Sequence, residues 1–104
     1  MLSEEKIVET LRSLKPQYEK EGIEIVGFFG SYARGEATEK SDLDVLIETR
    51  RRFVEETDPL KAFSRLRELK QQLQRRFGLA VDIADRSGLN AVAGKFIMKD
   101  LRRV

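Results

Sequence analysis

Two aspartates one residue apart, Asp42 and Asp44, open an apolar run that continues to Ile47. Side chains two residues apart in a strand project to the same face, so we expect the two carboxylates to point together. Carboxylates side by side repel each other unless a cation or a proton lies between them. Because Mg²⁺ commonly sits between one or two carboxylates and the phosphates of a substrate, the pair predicts a metal site for phosphate chemistry.

A Gly-Ser pair, Gly30-Ser31, ends the preceding apolar run and suits a phosphate group. Glycine lets the backbone come close to a ligand, and the turn that follows opens a helix whose N–H groups face an anion. Arg34, in the same segment, has two open interpretations. It could clamp a triphosphate, or it could pair with Glu36 or Glu39 at the surface.

A third aspartate, Asp82, lies within the apolar segment 79–84, on one face with Ala80 and Ala84. A carboxylate among small residues of an apolar strand is hard to explain as packing, since burying it without a partner is costly. Asp85 is the alternative, but it lies past the apolar run and points the other way. The strand pattern therefore favours Asp82 as the third carboxylate.

The stretch 27–47 resembles the signature of the DNA polymerase β-like nucleotidyltransferase superfamily, and more closely the minimal nucleotidyltransferase (MNT) family. The family pattern is Gly-Ser, ten residues, then Asp-x-Asp. Gly30-Ser31, the ten residues 32–41 and Asp42-Leu43-Asp44 match it without a gap. The family's third aspartate sits in a Val-Asp-hydrophobic strand, which again indicates Asp82.

The resemblance implies a Mg²⁺-dependent transfer of AMP from ATP to a hydroxyl group. Gly30 and Ser31 would hold the β- and γ-phosphates, with Arg34 as a further nucleotide-binding candidate. Asp42 and Asp44 would bridge two metal ions, and Asp82 would complete the metal on the acceptor side.

The same resemblance implies a partner. MNT proteins commonly act as antitoxins that add AMP to a tyrosine of a HEPN-domain RNase toxin. Two alternatives stay open: a non-catalytic module that binds nucleotide or neutralises its partner by contact, and a transferase for a small-molecule hydroxyl. The latter normally needs an additional helical domain.

The length of 104 residues predicts one minimal nucleotidyltransferase domain spanning 1–104. The chain has no cysteine and no histidine, so any metal must be held by oxygen. It shows neither a signal peptide nor an apolar run approaching the ~20 residues of a membrane span. We therefore expect a cytoplasmic protein that does not enter a membrane.

The charge is uneven along the chain. Residues 1–60 carry 9 Lys and Arg against 14 Asp and Glu, a net of −5, whereas residues 61–104 carry 11 against 4, a net of +7. The basic half could face a nucleoside triphosphate, a nucleic acid or an acidic partner, or it could be a solvated helix face. We expect no direct nucleic-acid binding. Apolar helix faces and Phe28-Phe29 allow a homo-oligomer without requiring one.

The periodicity predicts an α/β (α+β) domain with a small mixed sheet and flanking helices. The resemblance to the MNT family implies that this domain has the nucleotidyltransferase (polymerase β palm-like) fold. We expect Pro16 to kink or divide the first helix, and Arg50–Thr57 to form an exposed loop. Phe63, Leu66, Leu69, Leu73 and Phe77 are expected in the core. The predicted elements are a helix at 3–20, a strand at 23–29, a short helix at 31–38, a strand at 43–48, a helix from Asp58-Pro59 to Gly78, a strand at 79–84, a helix from Ser87-Gly88 to near Met98, and a short strand at 101–104.

Overall fold

The computed structural model describes residues 2–104 and has a mixed architecture of helices around one four-stranded sheet. This confirms the predicted fold class. None of the described helices combines the length and the hydropathy that a membrane span needs. The elements in chain order are α1 Glu4–Glu19, β1 Ile23–Phe29, α2 Ser31–Arg34, β2 Leu43–Thr49, α3 Arg51–Glu56, α4 Pro59–Phe77, β3 Val81–Asp85, a 3₁₀ turn Arg86–Gly88, α5 Ala91–Asp100 and β4 Arg102–Arg103.

The sheet has the strand order β3-β2-β1-β4. β1 runs antiparallel to both β2 and β4, whereas β2 and β3 are parallel and are connected through α3 and α4. Asp44 on β2 therefore lies between two neighbours in register, Phe29 on β1 and Asp82 on β3. The register brings residues that are 15 and 38 positions away in sequence beside Asp44.

The core lies on one face of this sheet. The first helix contributes a stripe at helical spacing, Ile7, Leu11, Leu14 and Tyr18, and β2 contributes alternate residues, Leu43, Val45 and Ile47. Each such side chain contributes roughly 1.5–3 kcal/mol when fully buried. Because alternate residues face opposite ways, Asp44 is directed to the other face of β2.

β4 is held against β1 by a close backbone approach. A Cβ at Gly27 would collide with the backbone carbonyl of Arg102, and the β1–β2 register shifts between Ile25 and Gly27. Only glycine fits where a bulge and a neighbouring strand meet so closely. The predicted short strand at 101–104 is thus confirmed at Arg102–Arg103.

Two predictions for the first half of the chain were wrong. Pro16 does not divide α1, which continues from Glu4 to Glu19 because the missing proline N–H affects only its last turn. The predicted loop after Arg50 contains a helix, α3. The buried side chain of Phe53 packs at Gly22, where the Arg50 N–H donates to the Gly22 carbonyl at 2.7 Å. This contact across 30 residues stabilises a turn that local sequence does not indicate.

The long helix α4 begins at an Asp58 cap and ends at Gly78, as predicted. Its C-terminal turns bury Leu69 and Leu73 and partly bury Leu66 and Phe77. Phe63, predicted in the core, is 67% exposed, because the described chain does not cover the first turns of α4, where Leu60 is exposed as well.

The last helix starts later than predicted. Arg86–Gly88 is a 3₁₀ turn, and α5 begins at Ala91, where the Asn90 side chain accepts a hydrogen bond from the Ala93 N–H at 2.8 Å. Asparagine is among the preferred N-cap residues, so the stronger local signal lies at Asn90 rather than at Ser87. α5 lies over Leu46 and partly covers the second face of the sheet.

Candidate active site

The backbone at Gly30 approaches the carboxylate of Asp44. β1 ends at Phe29 and α2 begins at Ser31, and Gly30 between them has φ 76° and ψ −151°. A Cβ at Gly30 would overlap Oδ2 of Asp44. The positive φ and the lack of space both require glycine, which sets the half-buried Ser31 next to this carboxylate.

Three predicted carboxylates lie around this point. Asp44 is half-buried on β2, Asp82 is its in-register neighbour on β3, and Asp42 lies just before β2 rather than inside it. Burial is the largest cause of a raised pKa at Asp44, followed by the negative charges of Asp82 and Asp42, while Arg34 acts in the opposite direction. The three groups are therefore close enough to repel one another, as predicted for a pair that needs a cation.

Among residues 2–104, no three Asp or Glu side chains already surround a common metal position. Mg²⁺, however, is usually held by one or two carboxylates together with substrate phosphates rather than by a cage built only from protein. The carboxylates of Asp42, Asp44 and Asp82 repel one another, and they lie beside the backbone turn at Gly30, which suits this mode of binding. The donor set thus fits a divalent ion that binds together with a nucleotide.

Asp85, the alternative third carboxylate, is already engaged by hydrogen bonds. Its Oδ1 accepts from the Thr49 N–H at 3.2 Å and its Oδ2 from the Thr49 hydroxyl at 2.7 Å. The Ser87 N–H and hydroxyl also donate to Oδ1, at 3.0 and 2.8 Å. Asp85 lies inside β3, which runs to this residue rather than ending at 84. Its contacts give it a structural role in joining β2 to the 3₁₀ turn.

Arg34 connects α2 to α5. Its Nε donates to Glu36 at 3.0 Å and its Nη1 to Asp100 at 2.8 Å, and these hydrogen bonds, Glu36 first, raise the pKa of Arg34. Of the two predicted surface partners, Glu36 is used. Asp100 was missed because a separation of 66 residues leaves no local signal.

A groove of about 570 Å³ opens beyond Asp82, between β3 and α4. Phe63, Leu66, Arg67 and Lys70 of α4 form one wall, and Asp82 belongs to the other. The sequence indicated Asp82 as functional but none of these four α4 residues. The only signal was the excess of basic and apolar residues on this helix.

Comparison with known proteins agrees with this geometry. A family model described as nucleotidyltransferase domain matches residues 4–104. The protein adenylyltransferase MntA of Thermococcus cleftensis is 35% identical over 102 residues, which cover 97% of this chain and 95% of the relative.

Two solved structures share the fold. A proposed minimal nucleotidyltransferase superposes with a TM-score of 0.74 at 27% identity, covering 99% of this chain and 97% of that one. A toxin–antitoxin crystal structure with AMP-PNP superposes with a TM-score of 0.64 at 25% identity, covering 98% of this chain and 72% of that one. The resemblance drawn from the Gly-Ser and Asp-x-Asp motifs is thus confirmed, and the chain belongs to the nucleotidyltransferase domain family.

Proposed function

We propose that this nucleotidyltransferase transfers AMP from ATP to a hydroxyl of a protein acceptor and thereby acts as an antitoxin. The observation that carries the proposal is the register at Asp44: Gly30 and Ser31 lie on its β1 side, and Asp82 lies on its β3 side. A nucleotide donor and an acceptor hydroxyl would approach the central carboxylate from these opposite sides. This arrangement suits an in-line displacement at phosphorus.

On the donor side, Gly30 lets the backbone approach the phosphates, and the Ser31 hydroxyl provides a hydrogen bond to them. Arg34 stays the candidate for a further phosphate contact. These residues would orient the α-phosphorus rather than react with it. Most of their contribution to the rate is positioning.

Asp42, Asp44 and Asp82 would hold Mg²⁺, with Asp82 on the acceptor side. When bound, the ion neutralises charge on the phosphates and lowers the pKa of an oxygen bound to it. Relief of the repulsion between the carboxylates favours its binding.

The transfer forms a bond between the acceptor oxygen and the α-phosphorus and breaks the bond to the β-phosphate oxygen, so pyrophosphate leaves. The hydroxyl proton needs an acceptor, and the chain contains no histidine. We assign this role to Asp82, the exposed carboxylate at the acceptor side of the cluster.

The relatives support a protein as the acceptor. MntA of Thermococcus cleftensis is named a protein adenylyltransferase, and a structural relative is a toxin–antitoxin complex with an ATP analogue. From the MNT resemblance we propose a HEPN-type RNase toxin as the acceptor and a tyrosine as the modified residue. The proposal places the protein in the cytoplasm, where ATP is available.

The decisive experiment is incubation with α-³²P-labelled ATP and Mg²⁺, with and without a purified HEPN-type protein. We expect label on that protein, and its loss by about 10²–10³-fold in Asp42→Asn, which removes charge stabilisation from the transition state. Asp58→Asn is the matched control, because Asp58 caps the distant helix α4 and asparagine caps equally well.

Two results would overturn the proposal. Label transfer at an unchanged rate in Asp42→Asn would remove the metal-binding role of the aspartate. Tight binding of the partner without any label, unaffected by the substitution, would instead establish a module that neutralises by contact.

A further inference from the structure

The outer edge of β3 has backbone groups that pair with no other strand of the described chain, residues 2–104. β3 is an edge strand in the order β3-β2-β1-β4. The Ala80 carbonyl accepts from the Leu43 N–H at 3.0 Å, so Ala80 directs its carbonyl toward β2. Since the direction alternates along a strand, Val81 and Ile83 direct theirs outward. Gln74 Oε1 accepts from the Val81 N–H at 3.2 Å, which leaves the Ile83 N–H and carbonyl for an added strand.

This edge borders the groove against α4, and the groove is apolar at its centre. Ile83 and Leu66 line it, and the ring of Phe63 at its margin is 67% exposed. Proteins usually protect an edge strand with charge, proline or a covering element. Asp82 and Asp85 supply such charge on β3, whereas the outer backbone groups of Ile83 between them have no hydrogen-bond partner among the described residues. An exposed sheet edge of this kind is where an extended peptide can add as a strand.

The groove also carries positive charge. Arg67 and Lys70 line it, both are exposed, and neither takes part in an ion pair among residues 2–104. Arg65 on the same helix, in contrast, pairs with Glu21 and Glu68. Other cations of α4, Lys61, Arg75 and Arg76, also lack ion pairs among residues 2–104, but they lie outside the groove. Asp82 and Asp85 line the opposite wall, and Asp85 is already hydrogen-bonded to Thr49 and Ser87. The α4 wall is therefore the positive side of the groove, and this side complements an acidic segment.

We propose that an extended, acidic segment of the acceptor protein binds in this groove as a fifth strand beside β3. The proposal rests on the proposed function, since it identifies where the acceptor of that reaction binds. Side chains on one face of the segment would contact Phe63, Leu66 and the two cations. A side chain opposite Asp82 would project to the same face as Asp82, with Cβ atoms about 5 Å apart. In the segment, acidic or apolar residues that face α4 should therefore alternate with residues on the opposite face, one of which carries the hydroxyl group.

Amide hydrogen exchange measured by NMR tests strand addition directly. The sample is Asp42→Asn protein, which keeps the complex unmodified, titrated with the same purified HEPN-type protein. We expect the Ile83 amide to exchange at least about tenfold more slowly in the complex, because a ladder hydrogen bond protects it. Faster exchange or no change at Ile83, with protection confined to other surfaces, would overturn the proposal.

Charge reversal tests the groove. Arg67→Glu with Lys70→Glu should abolish the protection of Ile83 and raise the KM for the acceptor about tenfold or more, while the KM for ATP stays unchanged. The matched control is Arg75→Glu with Arg76→Glu, the same change of charge at exposed positions of α4 outside the groove. Equal effects of the two pairs would show general electrostatic attraction and overturn the specific groove.

The apolar contact is tested by a second pair of variants. Phe63→Ser should raise the KM for the acceptor, whereas Leu60→Ser, at a position that is 79% exposed and outside the groove, should not. Thermal unfolding of each variant verifies that it folds. An unchanged KM in Phe63→Ser would overturn the apolar part of the site.

The outcomes separate this proposal from the proposed function. Ile83 protection without any label transfer by the parental protein would sustain the groove and refute the transferase. Label transfer with an unchanged acceptor KM in the charge-reversed protein would refute the groove alone. Protection that appears without partner and grows with protein concentration would assign the edge to a second copy, and equal protection by a uridine oligonucleotide would assign it to nucleic acid. Either result would overturn the proposal.

Discussion

The chain up to Phe53 and the chain after it differ in how they use apolar residues. The first part contains most of the buried apolar residues, including the whole α1 stripe and the alternating residues of β1 and β2, whereas the later part buries only Leu69, Leu73 and Val81. Within the described range 2–104, the exposed large apolar side chains lie in the later part: Val54, Leu60, Phe63, Val92, Phe96 and Met98. Net charge also differs along the chain: it is −5 in residues 1–60 and +7 in residues 61–104.

This difference indicates that the two parts of the chain have different roles. The first part forms most of the core and holds Gly30, Ser31, Asp42 and Asp44 at one end of β1 and β2. The later part contributes Asp82 and then exposes apolar and basic surface beside it. Scattered exposed apolar residues are ordinary, but Phe63 lines the groove beside Asp82, where an exposed aromatic ring is expected if a partner binds. Each prediction below tests one side of this difference in roles.

The largest effect should come from the core of the first part. Leu11→Ala leaves a cavity beneath the sheet at a fully buried position and should lower the free energy of unfolding by about 2–5 kcal/mol. Leu60→Ala on α4 should change it by less than about 0.5 kcal/mol, because the side chain is 79% exposed. Urea unfolding of both variants measures the contrast. Similar losses would show that the later part also supports the core.

The next largest effect should come from Gly30→Ala, which should lower the rate of label transfer. A Cβ there would displace the Asp44 carboxylate, and a shift of about 1 Å at a reacting centre costs about 10²-fold in rate. Gly35→Ala is a matched control, since Gly35 also has a positive φ, of 73°, but nothing lies within 4 Å of its Cβ position. The rate of label transfer distinguishes them. Equal losses would assign the effect to backbone strain and not to Asp44.

Local sequence predicted most of the first part because its elements depend on neighbouring residues. The strand 23–29 is observed with the predicted bounds, between Gly22 and Gly30, and α1 at Glu4–Glu19 lies within the predicted range 3–20. The Gly-Ser and Asp-x-Asp spacing likewise identified the family. Periodicity did not indicate that the described chain leaves the first turns of α4 uncovered, so Phe63 was assigned to the wrong environment.

What sequence could not predict depends on contacts between distant residues. α3 is stabilised through Phe53 and Gly22, and Arg34 is paired with Asp100. The groove and the free edge of β3 arise only when α4 folds back beside β3. No spacing rule connects Phe63 or Lys70 to Asp82, although the three residues line one groove.

A smaller effect, on thermal stability, is expected from substitution of Asp44. Burial and the charges of Asp82 and Asp42 raise its pKa above the ordinary value of 3.8, while Arg34 lowers it. A raised pKa means that folding favours the protonated form of Asp44. The stability contributed by the protonated carboxyl is therefore complete below the pKa of the unfolded state, and it is lost as the pH rises through the pKa of the folded state. Asp44→Asn should therefore raise the melting temperature by a few degrees at neutral pH, in EDTA. The gain should disappear below pH 3.8.

Asp58→Asn is the control for that comparison, because it changes the same chemical group at an exposed helix cap. Its melting temperature should equal that of the parental protein at both pH values. A lower melting temperature of Asp44→Asn at neutral pH would mean that the charged carboxylate stabilises the fold, contrary to the repulsion described above.

The smallest effect should come from Arg34, which connects the two parts through Asp100. If Arg34 contacts the triphosphate, Arg34→Gln should raise the KM for ATP by about fivefold at most, since exposed charge contacts contribute little. Asp100→Asn should not raise this KM, because it removes the partner and leaves the guanidinium to bind phosphate. Steady-state kinetics at low ionic strength would measure both. If both variants lower the melting temperature equally and leave the KM for ATP unchanged, Arg34 only connects α2 to α5. Phosphate binding would then depend on Gly30 and Ser31.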